Sequence, residues 1–238
     1  TKYLKWWHEE AAIWTTVKWL GVTTQKLPLD MWNYQEIISA IKPSGVIETG
    51  TRYGGSALFF ATLLGSMDST LTPLYTICGD SITSIIVSCL PFVLSIDVDH
   101  NSVSKKVQDN RLIELLTTSS VSNVMRSKLI KMFQNSQFKR SIHSRLFVIL
   151  DSDHSASHVF KELELFAEFL QSGDYLIVED GIINGHPVEQ EWGLGPFEAI
   201  LKFENIYGLN KYFIHDIDRE KKFGITQSPN GFLIRTKE

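Results

Sequence analysis

Acidic residues follow the apolar runs that predict parallel strands. Glu48 ends the first run, Asp97 the second, Asp151 the fourth, and Glu179 and Asp180 the fifth. In an open parallel sheet, ligands bind in the crevice beyond the carboxyl ends of the strands. Aspartate and glutamate also favour helix caps and turns, which would explain any one of these residues. Their recurrence at the same place in the fold favours a functional interpretation.

A glycine-rich turn follows the first of these strands and spans 48–56, with the letters ETGTRYGGS. Glycine lets the backbone approach a ligand closely, and the helix that follows offers free N–H groups. The spacing matches neither the dinucleotide-binding G-x-G-x-x-G nor a P-loop. Because an acid opens the turn, a cationic or hydroxyl-bearing ligand is favoured over a phosphate. A methionine sulfonium ligand carries an amine and a ribose, which would suit carboxylates at Glu48 and Asp97.

Strand and helix patterns alternate along the chain. Strands are predicted over 45–48, 92–97, 111–118, 145–150, 175–178, 212–215 and 232–235, and helices over 31–41, 56–64, 121–133, 155–171 and 196–203. Continuous apolar strands in this alternation predict an α/β fold whose doubly wound, mostly parallel sheet is covered on both faces. Asp30 is the expected N-cap of the helix over 31–41.

The composition excludes several classes of protein. The chain has 238 residues, of which 43% are hydrophobic, so one sizeable α/β domain with a packed core is expected. A net charge of -4 disfavours a nucleic-acid binder. Only Cys78 and Cys89 are cysteines, which excludes a disulfide framework and fits a cytoplasmic localisation. The apolar stretch 74–96 is interrupted by glycine, aspartate and proline, so no transmembrane span is expected.

Two segments fall outside the alternation. Residues 1–30 carry tryptophans at 6, 7, 14 and 19, and are expected to form a helical segment that packs on the domain or on a second subunit. Residues 31–238 then form a single domain. Gly50 and Asp97 are 47 positions apart, whereas a dinucleotide-type fold places its ribose acid about 20 residues on. The excess predicts an insertion over 69–91, at the amino ends of the strands and away from the ligand.

Several motifs resemble the cephalosporin hydroxylase/rhamnosyl O-methyltransferase family. They are PLD at 28–30, YQE at 34–36, IETGTR at 47–52, GGSA at 54–57, LDSDHS at 150–155, VED at 178–180, NGHP at 184–187, FG at 223–224 and PNGFL at 229–233. The resemblance covers the chain from about residue 19 onward. It implies a Rossmann-like methyltransferase fold that depends on S-adenosylmethionine, with an antiparallel C-terminal strand. It also implies a divalent metal, usually Mg²⁺.

The resemblance carries roles onto individual residues. The methionine part of the cofactor would lie against Glu48, Thr49, Gly50, Thr51, Gly54, Gly55 and Ser56. Asp97 would accept hydrogen bonds from the ribose hydroxyls, and Ser119 and Ser120 would lie near the adenine. Asp151, Glu179 and Asp180 would bind the metal, because hard carboxylate oxygens suit Mg²⁺.

Three residues are predicted to act in catalysis: Asp151 as a metal ligand, and His154 and His186 as candidates for the base. His154 has a side chain suited to proton transfer near neutrality, but it could equally cap the helix that starts beside it. His186 lies in the loop beyond the metal acids and is expected to line the substrate pocket, with a purely structural role in the loop as the alternative.

The favoured function is an S-adenosylmethionine- and Mg²⁺-dependent O-methyltransferase that acts on a hydroxyl of a small molecule or a sugar, including a glycan or glycolipid. One alternative is a hydroxylase or methoxylation component of secondary metabolism. Another is a non-catalytic family member that binds a partner. The acids at Asp151, Glu179 and Asp180 argue against that last alternative, whereas the insertion argues for it.

Overall fold

The computed structural model describes residues 2–67, 92–134 and 145–236. The expected insertion over 69–91, with Cys78 and Cys89, lies outside the described residues. Within them, no helix is both long enough and apolar enough to cross a membrane.

The N-terminal segment is helical only as far as Thr16. It contains α1 (Lys2–Lys5), a π-helical turn (Trp6–Glu10), a 3₁₀ turn (Ile13–Thr16), and the hairpin strands β1 (Lys18–Trp19) and β2 (Val22–Thr23). The predicted N-terminal helical segment over 1–30 thus contains this hairpin in addition to its helical turns. The segment contacts the rest of the domain, since the Trp19 indole meets the Phe59 ring edge-on at 5.0 Å.

A seven-stranded sheet forms the centre of the domain. Its strands are β3 (Gly45–Thr49), β4 (Phe92–Asp97), β5 (Ile113–Thr117), β6 (Leu146–Leu150), β7 (Tyr175–Val178), β8 (Phe213–His215) and β9 (Phe232–Arg235). Their order is β5-β4-β3-β6-β7-β9-β8. The first five in that order are parallel, and β9 pairs antiparallel with both β7 and β8. The predicted α/β class, mostly parallel sheet and antiparallel C-terminal strand are confirmed.

Helices cover both faces of this sheet. They are α2 (Pro28–Ile41), α3 (Gly55–Met67), α4 (Lys105–Gln108), α5 (Asn123–Gln134), α6 (Ala156–Phe169), α7 (Pro196–Tyr207), α8 (Leu209–Tyr212) and α9 (Ile217–Lys221). Alternate strand residues point to opposite faces. Val148 accordingly packs in one core with side chains of α5, α6 and α7, whereas Ile149 packs in another with those of α2 and α3. Burial on both faces explains why the strand sequences are continuously apolar.

The expected N-cap role of Asp30 is wrong. The helix begins at Pro28, Leu27 occupies the cap position, and no side chain caps the end. Proline is favoured in this first turn because its missing N–H would have no helical partner. Asp30 lies inside the helix and is 3% exposed, where its carboxylate accepts a hydrogen bond from the backbone N–H of Gln227 at 2.8 Å.

The strand order reverses at β3, which pairs with β4 on one side and β6 on the other. After β4 the chain continues outward to β5, and after β6 it continues outward to β7 on the other side. A crevice therefore opens at the carboxyl end of β3. Ligands bind at such switch points in open α/β sheets. The fold therefore places the glycine-rich turn after β3 at the centre of the candidate site.

Candidate functional site

A cavity of about 660 Å³ lies beyond the carboxyl ends of the strands. The predicted site residues that line it are Gly50, Thr51, Ser56, Asp97, Ser119, Ser120, Asp151, His154 and Asp180. They come from the ends of five parallel strands and from the start of α3. The fold thus brings most of the predicted cofactor and metal residues to one cavity.

Asp97 shapes the glycine-rich turn. Its carboxylate oxygen Oδ2 accepts hydrogen bonds from the backbone N–H groups of Thr51 and Arg52, both at 2.9 Å. Its Oδ1 accepts a longer bond of 3.3 Å from the N–H of Asp99. Asp97 is half-buried and lines the cavity, so it both holds the turn and presents a carboxylate to a ligand. Its predicted contact with a ribose stays a prediction.

The glycines of the turn have different structural roles. Gly50 has a φ of +89°, and a Cβ there would lie 1.8 Å from the carbonyl oxygen of Asp151. Gly54 packs against Val107 and Gly55 against the carbonyl of Thr23, where a Cβ would also collide. Gly50 alone among the three lines the cavity. The other two position the start of α3, and their predicted contact with the cofactor stays untested.

Glu48 and Thr49 lie beneath the turn rather than on the cavity wall. Both are fully buried. Glu48 accepts a hydrogen bond from the Ser95 hydroxyl at 2.7 Å. Burial raises the pKa of Glu48 to about 7, against the opposing effects of the Lys26 charge and the hydroxyls of Ser56 and Ser95. For the predicted contact with Glu48, a cofactor amine would have to reach past the cavity wall to this buried carboxylate.

The end of β5 contributes Ser119 and Ser120 to the wall. The Ser120 hydroxyl lies 2.8 Å from Nε2 of His158. The neighbouring Ser152 hydroxyl donates to Glu162, a fully buried acid of α6, at 2.8 Å. These bonds fix the hydroxyl groups on the side of the cavity where the adenine is predicted.

Asp151, His154 and Asp180 form the one potential metal-binding group among the described residues. Each offers a ligand atom, and these atoms lie within 4.8 Å of one another. Asp180 reaches this point with a φ of +53°, directly after β7. His154 Nε2 lies 3.4 Å from Asp180 Oδ2. Two carboxylates and an imidazole fit a divalent cation, and Mg²⁺ would use the carboxylate oxygens first.

The charges of this group explain the pKa of its histidine. Burial alone would lower the pKa of His154, but the carboxylates of Asp180 and Asp151 outweigh that effect and raise it. Burial also raises the pKa of Asp151, with the Lys26 charge opposing it and Asp180 adding to it. The site therefore concentrates negative charge that a cation would relieve.

Lys26 supplies part of that positive charge. Its ammonium donates to Asp151 Oδ2 at 2.7 Å and to Glu179 Oε2 at 2.8 Å. The side chain is 2% exposed. Burial lowers its pKa, yet Asp151, Glu179 and Glu48 raise it further, so Lys26 stays cationic. Lys26 therefore already compensates part of the negative charge of two of the three acids that are predicted to bind a metal.

Glu179 differs from the other two predicted metal acids. Its Oε2 accepts the Lys26 bond, and its Oε1 accepts a bond from the Tyr34 hydroxyl at 2.9 Å. It is 5% exposed and lies outside the potential metal-binding group. Both carboxylate oxygens are thus engaged, and Glu179 positions Lys26 instead of facing the cavity.

His186 also lies away from this cavity's lining. Its Nε2 is 2.7 Å from Glu198 Oε1, and its ring stacks on Phe197 with centroids 4.2 Å apart. Asn184 donates to the same glutamate oxygen at 2.9 Å. These contacts fit the alternative in which His186 shapes its loop.

Sequence reasoning missed Lys26, Tyr34 and the tryptophans of the cavity wall, Trp14 and Trp192. Lys26 is separated from its two partners by 125 and 153 positions. No local spacing connects residues so far apart. The one available signal was a lysine two positions before the Pro-Leu-Asp motif at 28–30, and that motif was used only for the family resemblance and for the helix start.

Comparisons with known proteins show a family and several relatives with similar sequences. The model of the family described as Rhamnosyl O-methyltransferase/CmcI matches residues 11–236. A rhamnosyl O-methyltransferase of Mycobacterium bovis (strain BCG / Pasteur 1173P2) is 38% identical over 98% of this chain and 84% of its own. One from Mycobacterium leprae (strain TN) is 37% identical over 98% of this chain and 89% of its own.

Solved structures show the same fold at lower identity. An apo structure of CmcI has a TM-score of 0.65 and 19% identity, covering 94% of this chain and 78% of its own. A CmcI structure with Mg and SAM has a TM-score of 0.60 and 19% identity, covering 93% of this chain and 77% of its own.

Proposed function

This chain belongs to the rhamnosyl O-methyltransferase/CmcI family, and we propose that it methylates a sugar hydroxyl in an S-adenosylmethionine- and Mg²⁺-dependent reaction. Membership makes it an S-adenosylmethionine-dependent O-methyltransferase. The sugar acceptor and the metal dependence are the proposal. One observation carries it: the group Asp151, His154 and Asp180 lines the same cavity as the glycine-rich turn.

The chain's own residues would position the two reactants. Gly50 allows close approach to the methionine part of the cofactor, and Asp97 would accept bonds from its ribose. Ser119 and Ser120 would lie against the adenine. In the reaction, the acceptor oxygen would bond to the methyl carbon as the bond from that carbon to sulfur breaks, and the hydroxyl proton would pass to a base, for which His154 is the candidate in this cavity. Because the displacement is in line, positioning supplies much of the rate.

Asp151 and Asp180 would hold the metal, with His154 as a third donor or as the base. A bound Mg²⁺ would supply positive charge that lowers the pKa of an acceptor hydroxyl and orients it. Lys26 holds Asp151 through Oδ2, which leaves the other oxygen of that carboxylate for the cation. Glu179, which bonds to Lys26 and Tyr34, would support the site from below.

The hydroxylase alternative is less well supported by this donor set. Non-haem iron oxygenases use two histidines and one carboxylate. The potential metal-binding group among the described residues has the opposite ratio, with His154 as its single histidine. The same group, intact in a cavity of about 660 Å³, argues against a non-catalytic family member.

Methyl transfer to methyl α-rhamnopyranoside tests the proposal, with S-adenosylhomocysteine formation as the readout. Chelator should abolish the activity and added Mg²⁺ should restore it. Asp180→Asn should reduce the rate by at least about 100-fold, which corresponds to about 2.7 kcal/mol of lost transition-state stabilisation. Asp109→Asn is the control, because that acid is 61% exposed, pairs with Lys105 on the surface and does not line the cavity. Full activity in excess chelator would contradict the metal requirement.

Calorimetry separates the two roles of His154. If it is a metal donor, His154→Ala should weaken Mg²⁺ binding by about 10–100-fold. If it is the base, Mg²⁺ affinity should persist while the rate falls.

A further inference from the structure

We infer that Trp14 of the N-terminal segment and Trp192 of the loop after β7 form the acceptor subsite, which holds the ring of a neutral glycoside. Both indoles line the cavity that contains Asp151, His154 and Asp180. The inference rests on the proposed function and adds to it where the acceptor binds and what chemical class it has. It also gives the N-terminal segment a role in recognising the substrate, beyond packing on the domain.

The strand order divides the cavity into two halves. The predicted ribose and adenine contacts follow β4 and β5, whereas Asp180 follows β7. Three strand spacings separate β4 from β7, which is about 14 Å at about 4.8 Å each. A cofactor that lies along the β3, β4 and β5 ends would leave the half near β7 free. Trp192, Glu189 and the N-terminal side chains belong to that second half.

The N-terminal segment is bonded directly to the β7 loop. Glu9 accepts a hydrogen bond from the backbone N–H of Glu189 at 2.7 Å. His8 Nδ1 lies 3.5 Å from a carboxylate oxygen of the same Glu189. The His8 ring stacks on Trp14 with centroids 5.3 Å apart and planes at 11°, and the Trp14 indole donates to the His8 carbonyl at 3.2 Å. These contacts fix Trp14 on the cavity wall.

Trp192 lies in the same loop as Glu189, on the other side of the contact with the N-terminal segment. Its backbone N–H donates to the carbonyl of Glu189 at 3.0 Å, which closes a tight turn. Its indole lies 6.1 Å from the ring of His154 and is 52% exposed. The exposed indole beside His154 offers an apolar face against which a ligand in the cavity could pack.

The chemistry of this half suits a pyranose ring. The C–H groups on a face of a pyranose pack against an indole, and its hydroxyls bind to carboxylates and imidazoles. The cavity that the indoles line is also lined by Glu189, Asp153 and Asp180. Glu189 and Asp153 lie outside the potential metal-binding group, and their carboxylates would repel a phosphorylated or carboxylated acceptor. The wall therefore favours a neutral glycoside over an anionic sugar.

Exposure of a tryptophan is not in itself a sign of a ligand site, and the chain offers an internal comparison. Trp32 lies on α2 and is 60% exposed, similar to Trp192, but it does not line this cavity. A variant at Trp32 therefore measures the effect of losing an exposed indole without changing the wall.

The test measures acceptor KM, kcat and S-adenosylmethionine affinity for Trp192→Ala, Trp14→Ala, Trp192→Phe and Trp32→Ala, with methyl α-rhamnopyranoside as the acceptor. Trp192→Ala and Trp14→Ala should each raise the acceptor KM by about 5–20-fold, which corresponds to about 1–2 kcal/mol, while S-adenosylmethionine affinity stays within about twofold. Trp192→Phe should keep most of the affinity, and Trp32→Ala should match the wild type. Trp192 is exposed, so its variants should fold even if Trp14→Ala does not.

The outcomes separate this inference from the proposed function. Normal acceptor KM in both alanine variants, with an active wild type, would overturn the subsite and leave the methyltransferase function standing. An equal loss of S-adenosylmethionine affinity would also overturn it, because the indoles would then act on the cofactor or on folding. A wild type that binds S-adenosylmethionine but methylates neither this glycoside nor methyl glucoside would reject the sugar acceptor and the subsite together.

Discussion

Replacing Lys26 by methionine removes the buried cation beneath the candidate metal site while keeping similar side-chain length. Lys26 is 2% exposed and makes hydrogen bonds of 2.7 Å to Asp151 and 2.8 Å to Glu179. Hydrogen bonds to charged groups contribute about 1.5–3 kcal/mol each. Loss of one partner of a buried ion pair costs about 3–5 kcal/mol, because the remaining charge is left uncompensated. Lys26→Met should therefore lower the free energy of unfolding by about 3–5 kcal/mol.

Urea denaturation at neutral pH, followed by circular dichroism, measures this loss. For a chain of this size, the thermal midpoint should fall by about 6–20 °C. Lys105→Met is the control, because Lys105 pairs with Asp109 on the surface at 3.0 Å, with 83% of its side chain exposed. Exposed pairs of this kind contribute about 0.3–0.5 kcal/mol.

Mg²⁺ gives a second readout of the same variant. Without Lys26, the carboxylates Asp151 and Glu179 lose their neighbouring cation, so a divalent ion should stabilise the variant more strongly than the wild type. A loss below about 1 kcal/mol in Lys26→Met would refute the reasoning, because it would show that the buried carboxylates need no cation. Equal Mg²⁺ stabilisation of the two proteins would show that Lys26 does not influence the metal site.

Three further predictions concern the turn, a buried acid and the segment outside the described residues. Gly50→Ala should destabilise the protein by about 2 kcal/mol or more and abolish S-adenosylmethionine binding by calorimetry, because the new Cβ would lie 1.8 Å from the Asp151 carbonyl oxygen and φ is +89°; near-normal binding would contradict the close packing. Burial raises the pKa of Asp30 from its ordinary 3.8 to about 7, so the folded state binds the carboxyl proton more tightly than the unfolded state does. The wild type therefore loses stability as the pH rises from about 4 to about 7. The free energy of unfolding of Asp30→Asn, relative to that of the wild type, should therefore increase by at least about 1 kcal/mol as the pH rises from 5 to 8. A difference in urea unfolding that does not change with pH would argue against a titrating Asp30. Replacing 69–91 by a short linker should leave S-adenosylmethionine affinity within about twofold, because β4 begins at Phe92 opposite Gly45, at the amino end of the sheet; weaker binding by a folded variant would count against this placement.

The positions of the strands were accessible from the sequence for a simple physical reason. Strands buried on both faces must be apolar along their whole length, so β4, β7 and β9 are predicted with the bounds that the structure shows. The acids at the carboxyl ends of β4, β6 and β7 directly follow the apolar runs or lie within two residues of them, so they can be recognised together with the strands. Asp97, Asp151 and Asp180 could therefore be placed at one edge of the sheet before any coordinates were considered.

Helix starts and the N-terminal segment were less accessible. Aspartate is a residue type favoured at N-caps, but Asp30 lies inside α2, where its carboxylate accepts a hydrogen bond from the backbone N–H of Gln227. The hairpin β1–β2 contains only short strands, too short for alternation to be recognised. Local propensity is a weak guide in both cases because contacts with distant parts of the chain decide the conformation.

The sequence by itself determined which acids could bind a cation, because strand ends and residue types are local properties. Only the tertiary structure decided which of them face the cavity. Asp151 and Asp180 meet His154 there, whereas Glu179 turns to Lys26 and Tyr34. The physical reason is the cost of burying charge: a carboxylate withdrawn from water must find a donor, and here the donors lie more than a hundred positions away in the chain.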